Sequence, residues 1–224
     1  MKRNIITTSD GSKTIQIEEW DEQYHSKHGA VQEAYHVFVK HGLSLFKNKT
    51  ISIMEIGFGT GLNALITWKE AADLRLRIEY LGVEAYPVTF EEVKLLNYIS
   101  QLNAVAYKSG FLQMHSSPWG SVVDIAPDFT LCKRKQDFRA IDDEDNCDLI
   151  YFDAFGARVQ PELWTEVVFK KMYRALRANG VLVTYAAKGS VRRAMLAVGF
   201  SVERLPGPPG KREMLRATKA EGHC

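Results

Sequence analysis

Between Ile51 and Trp68 the chain passes from a short apolar run, Ile51–Glu55 (ISIME), through glycines at alternate positions, Gly57, Gly59 and Gly61, into a helical stretch. A strand that ends in a glycine-rich turn and restarts as a helix is the opening unit of an open α/β sheet. Glycine there admits positive φ and lets a ligand lie against the backbone. The rest of the chain repeats the alternation. Arg77–Val83, Phe129–Lys133, Asp148–Phe152 and Val181–Tyr185 read as further buried strands, with helices expected over Phe90–Leu102, from the loop after Phe152 to Leu176, and over Ser190–Val198. Asn179-Gly180 is placed to cap the second of these helices. The tail, Phe200–Leu205 and Lys211–Thr218 around a PGPPG turn, reads as a hairpin. The prediction is an α/β fold of the Rossmann-like class: a doubly wound, mostly parallel sheet with an antiparallel last strand.

Size fits one domain. Residues 1–49 read as a lead-in, with a short strand at Thr14–Ile17 and a helical stripe over Ala30–Leu45, and residues 50–224 as the core. No apolar run approaches the ~18 residues needed to span a bilayer, and the first residues lack the apolar segment of a secretory signal. A cytoplasmic protein is expected. Cys132, Cys147 and Cys224 are too far apart for a thiolate zinc site and odd in number for a disulfide framework. A formal net charge of only +2 means that any nucleic-acid footprint must be a local patch.

The glycine loop narrows the ligand. Dinucleotide folds use G-x-G-x-x-G to aim amides at a pyrophosphate. Here the spacing is G-x-G-x-G, with Glu55 two residues ahead of Gly57. A carboxylate there would repel a pyrophosphate but suits the cationic ammonium or sulfonium region of S-adenosylmethionine. Gly57, Phe58, Gly59, Gly61 and Asn63 would then cradle that cofactor. Glu84, at the end of the next strand, would accept the ribose hydroxyls. Asp137 could accept the adenine amino group while Phe138 packs on the ring. The competing readings are a dinucleotide site and a glycine turn serving packing alone, and for Asp137 a solvated loop charge. The acidic run Asp142–Asp145 reads as a solvated face.

Asp153 is delivered by its strand to the C-terminal edge of the sheet, where open α/β folds bind ligands. Methyl transfer is an in-line displacement, so an enzyme mainly orients the nucleophile and excludes water. Asp153 can hold an amine N–H and take the proton as the ammonium forms. Asp153 is also a candidate cofactor-binding residue. Phe155 could pack a substrate ring. Asp153 as a helix cap is the alternative.

At this point the residues match a known family. Gly57–Asn63, Asp153–Trp164 (DAFGARVQPELW) and the run from Ala187 through Lys211–Leu215 (KREML), with His25–Phe38 in the lead-in, resemble the methyltransferase module of MnmC-type tRNA modification enzymes. The resemblance implies the class I methyltransferase architecture and S-adenosylmethionine as cofactor. It implies transfer to the aminomethyl group of 5-aminomethyl-(2-thio)uridine at the tRNA wobble position, giving 5-methylaminomethyl-(2-thio)uridine. Two-domain members add a flavin oxidoreductase, for which this sequence has no second glycine motif. A stand-alone module served by a separate oxidoreductase is therefore expected. A small-molecule amine N-methyltransferase and a binding module without chemistry are the other functional readings.

The topology groups Lys188, Arg192, Arg193, Lys211 and Arg212 around one rim, with Arg158 nearby, as a phosphate-binding patch; ordinary surface charge is the alternative. Trp164 and Tyr185 are further candidates for stacking a base, Trp164 more naturally core. His25, His28, His36 and His41 have no metal-ligand spacing, and no metal is expected. His25 or Tyr24 could line the substrate entrance.

Overall fold

The computed structural model describes residues 2–221, so Cys224 lies outside the described residues. The lead-in forms a small sheet of its own. β1 (Arg3–Thr7), β2 (Lys13–Ile17) and β3 (Glu22–Gln23) pair antiparallel. Only β2 was legible, because only it alternates buried residues such as Ile15 and Ile17. α1 (Ala30–Ala34) widens into a π-helical stretch, Tyr35–Lys40, and stops before Gly42. The continuous helix expected to Leu45 is therefore broken. Gly42 packs so closely that a Cβ would stand 2.6 Å from the Phe38 carbonyl oxygen.

The core begins with β4 (Thr50–Ile56), α2 (Leu62–Leu74) and β5 (Arg77–Glu84). The helix expected over Phe90–Leu102 is two, α3 (Phe90–Lys94) and α4 (Tyr98–Gln101). Thr89 and Glu92 form a capping box that starts α3, and the Asn97 side chain between the helices bonds the Lys13 amide and the Gly11 carbonyl of the lead-in. α5 (Lys108–Ser116) and β6 (Val122–Ala126) follow, both missed from the sequence. The remaining elements are β7 (Phe129–Lys135), β8 (Cys147–Phe152), α6 (Glu166–Ala175), β9 (Leu176–Thr184), α7 (Gly189–Ala197), β10 (Phe200–Pro206) and β11 (Glu213–Lys219).

These strands make one sheet in the order β10-β11-β9-β8-β4-β5-β7-β6. The five central strands, β9-β8-β4-β5-β7, are parallel. β11 runs antiparallel between β9 and β10, as expected, and β6 runs antiparallel at the far edge. Apolar layers cover both faces. Leu65 of α2 and Phe111 of α5 pack with Tyr80, Phe129 and Tyr151 on one side. Phe169 of α6 and Met195 of α7 pack with Met54, Phe152 and Leu182 on the other. That is the doubly wound arrangement.

Two local expectations need correction. α6 ends at Ala175, because Leu176 is already extended and opens β9. The left-handed residue is Asn179 (φ +62°), inside the irregular start of that strand, so Asn179-Gly180 caps no helix. The acidic run Asp142–Asp145 is only partly a solvated face. Asp143 accepts two hydrogen bonds from Arg134, and Asp145 accepts one from Lys219. Among the described residues no helix is long and apolar enough to cross a membrane.

Candidate active site

Parallel packing brings the C-terminal ends of β4, β5 and β8 side by side, and the lead-in closes over them. The result is a cavity of 340 Å³, within the range of small-molecule sites. Its floor is the loop after β4. Gly57 (φ +93°) and Gly59 (φ +49°) hold conformations that favour glycine. A Cβ on Gly57 would stand 2.7 Å from the Asp153 carbonyl oxygen. Gly61 (φ +71°) is the N-cap residue just before α2 and does not reach the cavity wall. It backs onto His115, whose Nε2 a Cβ there would meet at 2.7 Å. Its place is explained by packing.

Glu84 ends β5 and accepts from the Gly59 amide at 3.0 Å and the Tyr86 amide at 2.8 Å. These bonds tie the carboxylate to the glycine loop. Burial pushes its pKa up against their opposing effect. Phe138 is buried on the cavity wall. Asp137 lines the same wall, but its carboxylate is engaged by Arg139 through the backbone amide and the guanidinium. An adenine amino group would share that acceptor.

Glu55 and Asp153 are joined by one side chain. Asn63 Nδ2 donates to Glu55 Oε1 at 2.8 Å and to Asp153 Oδ2 at 2.9 Å. Glu55 Oε2 accepts from Tyr80 Oη at 2.9 Å. Glu55 is thus a buried carboxyl with both oxygens occupied. Desolvation and then the Asp153 charge push its pKa well up. It serves less as a free negative charge than the sequence implied. Asp153 opens to the cavity on one side and is enclosed by protein elsewhere. Burial first, and the nearby Glu33 carboxylate second, raise its pKa to about 7, against the Asn63 hydrogen bond and Lys211. Among the described residues its Oδ1 accepts no hydrogen bond. It caps no helix: Pro161–Trp164 and α6 begin well beyond it.

The cavity mouth is aromatic. Phe155 meets Trp20 and Tyr24 edge-to-face, with ring centroids 5.5 and 5.0 Å apart. Trp164 is buried and donates Nε1–H to the Phe155 carbonyl, and Tyr185 Oη donates to the Ala154 carbonyl. Both brace this loop. His25, buried beside Thr14, also lines the cavity, and desolvation lowers its pKa to about 4. Among the described residues no group of three or more His, Cys, Asp or Glu could hold a metal ion.

Of the six cationic candidates only Lys211 lines the cavity, where its ammonium pairs with Glu33. Arg158 points elsewhere. It bonds Glu22 at 2.8 Å and the Trp20 and Asp21 carbonyls, clamping the lead-in. Lys188, Arg193 and Arg212 are exposed, Arg192 is half-buried, and none of the four forms an ion pair among the described residues. Sequence reasoning missed Glu33, Trp20 and Glu22 as cavity residues. Glu33 had a signal: it stands on the buried stripe Ala30, Ala34, Val37, where a carboxylate is out of place.

Residues 125–220 match a family described as S-adenosyl-L-methionine-dependent methyltransferase. The chain is 30% identical over 220 residues to the tRNA 5-methylaminomethyl-2-thiouridine biosynthesis bifunctional protein MnmC of Leptospira interrogans, covering 88% of this chain and 32% of that protein. It is 33% identical over 207 residues to the protein of the same name from Ralstonia nicotianae, covering 87% and 31%. The chain therefore spans about a third of the length of these relatives. The crystal structure of MnmC2 from Aquifex aeolicus matches with a TM-score of 0.78 and 25% identity, over 99% of this chain and 71% of that one. Spermidine synthase from Thermotoga maritima, at 13% identity and a TM-score of 0.59, covering 98% of this chain and 70% of its own, shares the fold.

Proposed function

We propose that this chain, an S-adenosylmethionine-dependent methyltransferase homologous to the methyltransferase portion of MnmC, methylates the aminomethyl nitrogen of 5-aminomethyl-(2-thio)uridine at the tRNA wobble position. The observation that carries the reading is Asp153: a carboxyl at the cavity with one oxygen uncommitted, a pKa of about 7, and the glycine loop directly against it.

The chain's own residues suit the cofactor. The Gly57 and Gly59 backbone, held at φ values that favour glycine, lines the cavity with no side chain of its own. Glu84 offers a carboxylate to ribose hydroxyls, and Phe138 offers a ring face to adenine, with Asp137 beside it. Glu55 and Asn63 border the end where the methyl group would lie. When bound, S-adenosylmethionine supplies the methyl carbon: its C–S bond breaks as the N–C bond forms, the electron pair staying on sulfur. Asp153 Oδ1 holds the amine N–H, aims the nitrogen lone pair, and accepts the proton that the new ammonium must release. Only the ionised carboxyl can accept it, so turnover rises with pH through about 7. Trp20, Tyr24 and Phe155 can stack the unpaired base while the lead-in excludes water. Because lead-in and core line one cavity, we treat residues 1–224 as one methyltransferase unit acting in the cytoplasm. Lys188, Arg192, Arg193 and Arg212 are the proposed phosphate contacts. A separate oxidoreductase is the proposed source of the aminomethyl group.

One observation favours a second reading. Glu22, Glu33, Glu55, Glu84 and Asp153 all line the cavity, which would also welcome a small cationic amine. The test is transfer of labelled methyl from S-adenosylmethionine to tRNA carrying 5-aminomethyl-uridine, with unmodified tRNA as control. Label recovered as 5-methylaminomethyl-uridine from the first alone is expected. Label passing to free polyamines and to neither tRNA would move the assignment to the second reading.

A further inference from the structure

Lys211 comes from the turn between β10 and β11, and sequence position alone would put it with the phosphate-binding cations. The structure puts it inside the cavity. Its Nζ donates to Glu33 Oε1, and its ammonium lies 3.8 Å from the centroid of the Tyr185 ring. Glu33 is 6% exposed on the apolar stripe of α1, and its other oxygen accepts from the Ser26 amide at 2.8 Å. A carboxylate so placed is costly unless paired, and Lys211 is the cation that pairs it. The next residue back, Gly210, packs on His28 so tightly that a Cβ would stand 2.2 Å from the ring. The turn is thus seated on the lead-in.

We propose that Lys211 is a positioning residue of the active site and not a tRNA contact: its ion pair with Glu33 fastens α1 to the last turn and offsets the negative charge that Glu33 would otherwise impose on Asp153. This rests on the reading of Asp153 as the proton acceptor. The groups facing Asp153 are Glu33 of α1, Glu55 of β4, Tyr80 of β5, Tyr185 immediately after β9 and Lys211 itself, with Asn63 of α2 as its hydrogen-bond donor. Lys211 is the cation among them. Glu33 raises the Asp153 pKa and Lys211 lowers it. Removing the lysine leaves the acids unopposed, so Asp153 should hold its proton to higher pH.

The test needs no methyl acceptor. The Asp153 carboxyl is titrated by carbon NMR in the whole protein, assigned with Asp153→Asn, in wild type, Lys211→Met, Lys211→Arg and the double variant Glu33→Gln/Lys211→Met. Salt dependence of bulk tRNA binding is measured alongside. The expected result is a midpoint higher by ~1 pH unit in Lys211→Met, restored by the arginine and brought below the wild-type value by the double variant, because Glu33 acts on Asp153 more strongly than Lys211 does, with the tRNA salt slope unchanged. The double variant guards against misfolding, since it removes both charges together. An unmoved Asp153 midpoint in Lys211→Met, with a salt slope flattened by ~0.7–0.9 as for one lost phosphate contact, overturns the proposal. Failure of the tRNA methylation assay would instead leave this titration intact and strike only the assigned substrate.

Discussion

Replacing Asp153 with Asn should stabilise the free protein, and by an amount that depends on pH. The side chain keeps its shape, and its carbonyl can still accept from Asn63. What it loses is the cost of ionising inside the cavity. In the unfolded chain the carboxyl releases its proton near its ordinary 3.8, whereas the folded protein holds it to about 7. Across that window the folded wild type binds the extra proton, so its stability falls as pH rises, by about 1.4 kcal/mol per pH unit, and levels off above 7. The amide introduced by Asp153→Asn does not titrate. Measured against wild type, the variant should therefore gain about 3 kcal/mol between pH 5 and pH 8. That corresponds to a relative rise in Tm of ~6–12 °C for a chain of this size. The assay is thermal or urea unfolding of both proteins at half-unit pH steps, without cofactor. A stability difference that stays flat across that range would refute the buried-acid account of Asp153 and, with it, the pH dependence expected of catalysis. The same variant should lose methyl transfer while still binding S-adenosylmethionine, which separates proton acceptance from folding.

Gly57→Ala must put a side chain at φ +93° with its Cβ 2.7 Å from the Asp153 carbonyl oxygen; a stability loss of ~1–3 kcal/mol and cofactor binding weakened at least tenfold by calorimetric titration are expected. Arg158→Ala should leave the salt slope of tRNA binding unchanged, because its guanidinium is committed to Glu22 and the Trp20 and Asp21 carbonyls. It should instead speed proteolysis around residues 18–23, and a flattened salt slope would return Arg158 to the tRNA footprint.

What could be read from the sequence follows a physical line. Glu55, Gly57, Glu84 and Asp153 sit at the ends of buried parallel strands, and such strands announce themselves as apolar runs. Each run fixes where its last residue emerges, so the floor of the cavity was legible. β6 was not, because Val122–Ala126 sits at the sheet edge and shows no buried alternation. The lead-in residues were not either. Trp20, Glu22 and Glu33 reach the cavity through pairings with residues more than a hundred positions away, such as Glu22 with Arg158 and Glu33 with Lys211. Local periodicity carries no record of them. The carboxylates that engage Arg158 and Lys211 were hidden in the same way, since each partner lies far along the chain. The carboxylate inside an apolar helical stripe was the one overlooked local clue.

The span of that last pairing has a consequence in time. Glu33 and Lys211 are 178 residues apart, and ribosomes add roughly 5–20 residues per second. About 10–35 s of synthesis therefore separates the first wall of the cavity from the cation that meets it. During that interval α1 carries a carboxylate on its apolar face with no lysine to receive it, and the nascent lead-in has reason to stay undocked. A chain made only as far as Asp153 would hold the glycine loop and that carboxyl, yet not an enclosed cavity. The methyl donor would then meet a closed, water-poor site only after the β10–β11 hairpin had been made, which ties the onset of activity to the synthesis of that hairpin.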